Sequence, residues 1–70
     1  MNLIRDAMAS RGWNQKRLAD ETCISESTIS RYISGERLPS LMNCKIICDV
    51  LDLDYYEVMN EIIKEDKNNG

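Results

Sequence analysis

Residues 13–35 read WNQKRLADETCISESTISRYISG, and the signals for helix starts and ends are clearest here. Asn14 and Ser25 are residue types that favour helix N-caps, and the final glycine is typical of the position just after a helix end. The pattern predicts two short helices, over residues 15–22 and 26–34. Because only three residues separate them, the two helices must cross sharply, as they do in a helix-turn-helix.

Apolar residues recur with helical spacing on both sides of this stretch. A first helix is predicted over residues 3–11 with Asn2 as its N-cap. Ser40 and Asp54 are the expected N-caps of a fourth and a fifth helix. The predicted fold is therefore all-α, a compact five-helix bundle. The fourth helix is expected to bury Leu41, Cys44, Ile47, Cys48 and Leu51, and the fifth Tyr55, Val58, Met59 and Ile62.

The length of the chain allows one small domain. Of its 70 residues 43% are hydrophobic, which is enough for a globular fold with a thin core. We expect one domain over residues 1–64, with the helix-turn-helix at 15–34, and a fraying polar tail at 65–70. The longest apolar runs are three residues long, too short to cross a bilayer, and the N-terminus does not read as a signal peptide. The expectation is a cytoplasmic protein without membrane contact.

The residue types that usually carry catalysis or bind metals are scarce. The chain has three cysteines and no histidine, so it lacks the four ligands of a typical zinc site and the commonest acid–base catalyst. Cys44 and Cys48 lie one helical turn apart, which could serve a metal, but their apolar neighbours favour the core. We therefore expect no enzyme, no metal and no cofactor.

Charge is distributed unevenly along the chain. The net charge is −3, but residues 1–40 hold six basic against five acidic side chains, whereas residues 41–70 hold three against seven. A folded body would then have a weakly basic end and an acidic end. Because DNA binding depends on the charge of one face, the acidic total does not exclude it.

Three segments and one glycine follow one another at a characteristic spacing. They are QKRLA (15–19), ISESTISRY (24–32), Gly35 and LPSL (38–41). They resemble the helix-turn-helix of phage repressor and Cro-type proteins, the xenobiotic-response-element-like bacterial regulators, over roughly residues 3–60. The resemblance implies a lambda-repressor-like DNA-binding domain. It further implies a sequence-specific transcriptional regulator, in particular a repressor, that binds double-stranded DNA as a homodimer on a two-fold operator.

The resemblance also assigns roles to single residues. The third helix would lie in the major groove, where the guanidinium of Arg31 can bond guanine O6 and N7 together. Phosphate contacts would fix the register of the protein on the duplex. Base edges would be contacted by Gln15, Glu26, Ser27 and Arg31, and phosphates by Asn14, Lys16, Ser25, Ser30, Ser34 and Arg37.

Three features depart from the family pattern. Cys23 stands where a glycine is usual in the turn, so the turn is expected to be strained or shifted. Met8 and Ile33 replace an arginine–glutamate pair, and we predict that these two side chains touch. Glu26 either accepts a hydrogen bond from cytosine N4 or only favours the positive end of its helix.

An alternative function uses the same fold for protein binding. An antitoxin or adaptor would explain the net negative charge, the acidic second half of the chain and Glu26 at a reading position. Its protein partner would bind the surface of the helices at 41–51 and 55–64. Dimerisation could use part of the same surface, because the fifth helix carries more apolar residues than one packed stripe needs.

Overall fold

The computed structural model describes the backbone of residues 2–69 and the side chains of residues 2–64. Within residues 2–69 the chain is helical and contains no strand, so the predicted all-α, five-helix fold is confirmed. The elements are α1 (Asn2–Arg11), α2 (Gln15–Thr22), α3 (Glu26–Ser34), α4 (Leu41–Leu51) and α5 (Tyr55–Asn69).

Local capping explains where three of the helices begin. The side chains of Asn14, Ser25 and Ser40 each accept a hydrogen bond from the backbone N–H three residues on, at 2.8, 3.3 and 3.2 Å. Each bond satisfies one of the amides that an α-helix leaves unpaired at its N-terminus. The predicted N-caps of α2, α3 and α4 are therefore confirmed.

The first helix begins differently from the prediction. Asn2 is not an N-cap, because it is itself the first helical residue. The Leu3 amide instead donates to the Glu61 carboxylate of α5, at 3.2 Å to the nearer oxygen. A carboxylate at this end of a helix also interacts favourably with the helix dipole. A side chain far along the chain thus replaces the expected local cap.

The last helix extends further than the prediction. Its start agrees with Asp54 as a cap, because the Tyr56 amide donates to Asp54 Oδ1 at 2.9 Å. The α5 backbone then continues through Asn69, into the segment expected to fray. Gly70 and the side chains of residues 65–70 lie outside the described part of the chain.

One apolar core lies between the helices and holds α2 and α3 in place. Leu41 was expected in this core but is 66% exposed. It is the first residue of α4, and the buried stripe of that helix begins one turn later, at Cys44. The buried hydrophobic side chains are Ile4, Met8, Leu18, Ala19, Ile29, Tyr32, Ile33, Cys44, Ile47, Cys48, Leu51, Val58 and Ile62.

The two cysteines of α4 belong to this core. Both are buried, and the thiol of Cys44 lies 3.8 Å from the Met59 sulfur. Burial raises the pKa of the Cys44 thiol, and burial together with the neighbouring Cys44 raises the pKa of Cys48 to about 12. Both thiols are therefore protonated at neutral pH and behave as small apolar groups.

Met8 and Ile33 are buried in the same core and line one cavity. This position excludes an arrangement on opposite surfaces. A direct contact between the two side chains remains a prediction. Both side chains are apolar, so two buried hydrophobic residues stand where the family pattern described above has an arginine–glutamate pair.

No helix in the described part of the chain combines the length and the apolar character that crossing a bilayer requires.

Candidate nucleic-acid interface

The turn between α2 and α3 keeps the conformation that a glycine would favour. Cys23 adopts φ 59° and ψ 25°, in the left-handed region. The turn is therefore not shifted, although a side chain in this region costs about 1–2 kcal/mol. The left-handed conformation of Cys23 reverses the chain within three residues and directs α3 across α2.

Thr22 holds this turn from inside. Its hydroxyl donates to the Leu18 carbonyl at 2.8 Å and accepts from the Ile24 amide at 3.3 Å. Thr22 is the one buried polar residue among those whose side chains are described. The second bond gives the Ile24 amide, which lies just beyond the end of α2, a partner within the protein.

α3 has one buried and one exposed face. Ile29, Tyr32 and Ile33 are buried, and the Tyr32 hydroxyl accepts a hydrogen bond from the Asn43 side chain at 2.9 Å. Tyr32 therefore packs in the core and supports the helix. The exposed face follows the i, i+3, i+4, i+7 spacing of one helical side and consists of Ser27, Ser30, Arg31 and Ser34.

Two hydroxyl side chains are hydrogen-bonded to each other at the N-terminus of α3. Ser25 Oγ donates to Thr28 Oγ1 at 2.7 Å and accepts from the Thr28 amide. The Ser25 hydroxyl hydrogen is thus used within the protein, so the side chain has none left to donate to a phosphate. An anion at this point would instead meet the backbone amides of the first helical turn.

Several of the predicted contact residues meet at one open cavity of about 640 Å³ between α1 and the N-terminal ends of α2 and α3. Gln15 is half-buried in its wall, whereas Lys16 and Glu26 are exposed. Lys16 and Glu26 also line a second open cavity, of about 610 Å³, beside the Cys23 turn. The structure therefore brings Asn14, Gln15, Lys16 and Glu26 together at one end of α3.

The remaining predicted contacts lie along α3 and the turn after it, away from that cavity. Ser34 Oγ donates to the Arg31 carbonyl at 3.1 Å and accepts from the Glu36 amide at 3.3 Å. The Ser34 hydroxyl is thus also used internally. The Arg37 amide bonds the same Arg31 carbonyl at 3.2 Å, which places Arg37 at the C-terminal end of the exposed face.

Other basic side chains stabilise the scaffold. Arg5 donates to the Ile33 carbonyl at 3.1 Å and Arg11 to the Leu51 carbonyl at 2.7 Å, so each caps the negative C-terminal end of a helix. Arg17 pairs with Glu21 at 2.8 Å and lies 4.8 Å from the centre of the Trp13 ring. The roles of Arg5 and Arg11 were not predicted, because a basic residue carries no local signal for a bond made 28 or 40 residues away.

Glu36 is a further residue beside the site that was not predicted from the sequence. Its carboxylate lies 4.0 Å from Arg31 Nε, and the two side chains are 71% and 54% exposed. The signal was present in the glycine, because a left-handed Gly35 turns the chain back over the last turn of α3. Glu36 therefore places an acidic group beside Arg31, the residue expected to contact bases.

Two short helices, a three-residue turn and an exposed polar face on the second helix define a helix-turn-helix domain. The family model described as helix-turn-helix, of the Cro/C1 type, matches residues 4–58. The chain belongs to this family, and it is a helix-turn-helix regulator that binds DNA. No curated protein and no solved structure gave a significant match.

Proposed function

We propose that this protein is a sequence-specific transcriptional repressor that reads the major groove with α3. The observation that carries the proposal is the exposed face of that helix. It presents Ser27, Ser30 and Arg31 on one side, while Ile29 and Tyr32 anchor the other side in the core. A polar helix face held rigidly at a protein surface suits insertion into the 12 Å wide major groove of B-form DNA.

Base contacts are proposed for Gln15, Glu26, Ser27 and Arg31. Arg31 has the strongest chemistry, because its planar guanidinium can bond both acceptors on the guanine edge. Glu26 can accept from cytosine N4, and Gln15 lines the same cavity as Glu26. These side chains span both ends of the exposed surface, so one half-site of several base pairs would be read.

Phosphate contacts are proposed for two groups that flank these readers. Asn14 uses its side-chain oxygen for capping, so its NH₂ group is the part suited to a phosphate. Lys16 supplies charge at that end, and Arg37 supplies charge at the other end of α3. Ser30 contributes its hydroxyl. Ser25 would contribute its backbone amide or break the internal bond of its hydroxyl, whereas Ser34 would have to break the internal bond of its hydroxyl.

The repressor is proposed to act as a homodimer. A single subunit offers few phosphate-contacting cations, so its affinity for DNA should be weak and linked subunits should bind more tightly. Tyr56, 77% exposed on α5, and Ile63 on the same helix supply apolar surface for self-association. Two copies of α3 would then lie about 34 Å apart, one turn of the duplex.

A fluorescence-anisotropy titration on random-sequence duplex tests whether the protein binds DNA at all. We expect binding at about 50 mM salt that weakens steeply by about 200 mM, because released counterions drive the association. Titration over a range of protein concentrations, with sedimentation of the free protein, tests the dimer. No binding to any duplex at low salt would contradict the proposal.

A protein-interaction function is the second candidate. The exposure of Leu41, Met42 and Tyr56, beside the acidic second half of the chain, supports it. A purified complex with another protein that retains no nucleic acid would favour this function. Loss of that complex in Met42→Ser, with DNA binding unaffected in the same variant, would locate the partner on α4.

A further inference from the structure

The turn after α3 is fastened to the last turn of the helix. The Gly35 amide bonds the Tyr32 carbonyl at 3.2 Å, and the Arg37 amide bonds the Arg31 carbonyl at 3.2 Å. The Ser34 hydroxyl accepts from the Glu36 amide between them. Three backbone amides in succession are thus bonded back to α3. These bonds fix the backbone at Glu36 and with it the direction in which the Glu36 side chain starts.

This fixed turn places an acidic group beside Arg31. Glu36 Oε2 lies 4.0 Å from Arg31 Nε, although the two residues are five apart and could not share a helical face. Arg17 and Glu21 offer a comparison, since they pair at 2.8 Å at the ordinary i, i+4 spacing on α2. Only the Glu36 pair involves a side chain proposed to contact bases.

We propose that Glu36 is a specificity-determining residue that acts through Arg31. The inference rests on the proposed function, because it concerns how the same interface discriminates between sequences. The carboxylate lies beside Nε, which leaves the two terminal NH₂ groups of the guanidinium for a base edge. On a guanine edge those groups make their hydrogen bonds while the carboxylate still attracts the guanidinium, so Glu36 helps to orient Arg31, whereas a wrong base gains nothing from that orientation.

The same carboxylate penalises binding in the wrong place. The charge of Glu36 repels nearby phosphates on every duplex, but only on the cognate site does the orientation of Arg31 by Glu36 offset that repulsion. Discrimination of this kind comes from a repulsive element as well as an attractive one. Glu36 therefore lowers affinity for random sequence more than affinity for the cognate site.

The expected effect of removing the charge is modest. Exposed ion pairs are worth about 0.2–1 kcal/mol, which corresponds to roughly a 1.4- to 5-fold change in a binding constant. Glu36→Gln should tighten binding to random duplex by about that factor and tighten binding to a selected duplex less. The ratio of the two affinities, the specificity ratio, should fall.

A double-mutant cycle tests the inference. The wild type, Glu36→Gln, Arg31→Ala and the double variant are each titrated against a duplex selected by the wild type and against random duplex. Glu36→Gln should lower the specificity ratio in the wild-type background and leave it unchanged in the Arg31→Ala background. Glu21→Gln is the matched control, because it removes an exposed, arginine-paired carboxylate on α2 and should not change the ratio.

The outcomes separate the inference from the proposed function. A wild type that does not distinguish the selected from the random duplex would overturn both. A discriminating wild type whose ratio is unchanged by Glu36→Gln, or changed equally in the Arg31→Ala background, would overturn the role of Glu36 alone. Circular dichroism checks that each variant is folded.

Discussion

Cys23 holds a backbone conformation that its own side chain disfavours. Replacing it with glycine removes the clash between the Cβ atom and the backbone at φ 59°. We expect Cys23→Gly to raise the free energy of unfolding by about 1 kcal/mol, less than the full strain because glycine also has a more flexible unfolded state. Urea unfolding followed by circular dichroism measures the change.

Asp52 provides the control for that substitution. It also has a positive φ, of 55°, but aspartate tolerates the left-handed region better than cysteine. Asp52→Gly should therefore gain less stability than Cys23→Gly. A loss of stability in Cys23→Gly would mean that the thiol makes a contact worth more than the strain.

Arg31 and Arg37 are proposed to do different work on the duplex. Arg31→Ala should cost about 1–3 kcal/mol on a selected duplex and relax specificity at one position. Arg37→Ala should weaken binding to all sequences alike and lower the slope of log affinity against log salt by about one unit. Lys45→Ala, which removes an exposed basic residue of α4, is the control. Equal losses for both arginine variants on both duplexes would contradict the assignment of Arg31.

Exposure of the individual contact residues could be predicted from the sequence, but their internal bonding could not. Ile29 and Ile33 lie one helical turn apart with Tyr32 beside them, a spacing that indicates a buried face and leaves Ser27 and Arg31 on the exposed side. The internal hydrogen bonds of the Ser25 and Ser34 hydroxyls depend on the side-chain rotamers, which the spacing of residues in the sequence does not determine. Glu36 was missed because its position beside Arg31 follows from the path of the chain after Gly35.

The joint between α2 and α3 depends on the Thr22 hydroxyl. Thr22→Val keeps the shape of the side chain but leaves the Ile24 amide without its acceptor in a partly buried turn. We expect a loss of about 1–3 kcal/mol in the free energy of unfolding, measured in urea. Thr22→Ser retains the hydroxyl and should lose clearly less; equal losses in both variants would show that the hydrogen bonds contribute little.

Helix boundaries were most predictable where the cap is local. Asn14, Ser25 and Ser40 cap helices that follow them directly, so residue type and position were sufficient. The start of α1 was not predictable in this way, because Glu61 is 58 positions away from the amide it accepts from. The predicted burial of Leu41 was wrong because apolar periodicity predicts which face of a helix is buried but not how far along the helix the core extends.

The buried thiols couple the stability of the fold to alkaline pH. Burial raises the pKa of Cys48 to about 12, above the ordinary thiol value of 9.0, so between these values the unfolded chain loses a proton that the folded chain keeps. The buried Cys48 thiol therefore contributes fully to the free energy of unfolding below pH 9, and this contribution is lost as the pH rises towards 12. We expect Cys48→Ala to be less stable at neutral pH but to lose less stability above pH 9.

Urea unfolding at a series of pH values checks this dependence. Cys23→Ser, which alters the exposed cysteine, should keep the alkaline loss of the wild type. An unchanged alkaline loss in Cys48→Ala would contradict the assignment to that thiol.

We propose that two copies of α3 read a defined DNA sequence. Selection of bound duplexes from a random pool, with wild type and Arg31→Ala in parallel, is the decisive experiment. We predict that the wild type enriches a two-fold symmetric sequence whose half-sites are centred about 10 base pairs apart, or a multiple of that spacing. Each half-site should contain a guanine that Arg31→Ala no longer selects. A wild-type pool that remains random, or a pool that is identical for the two proteins, would contradict the claim.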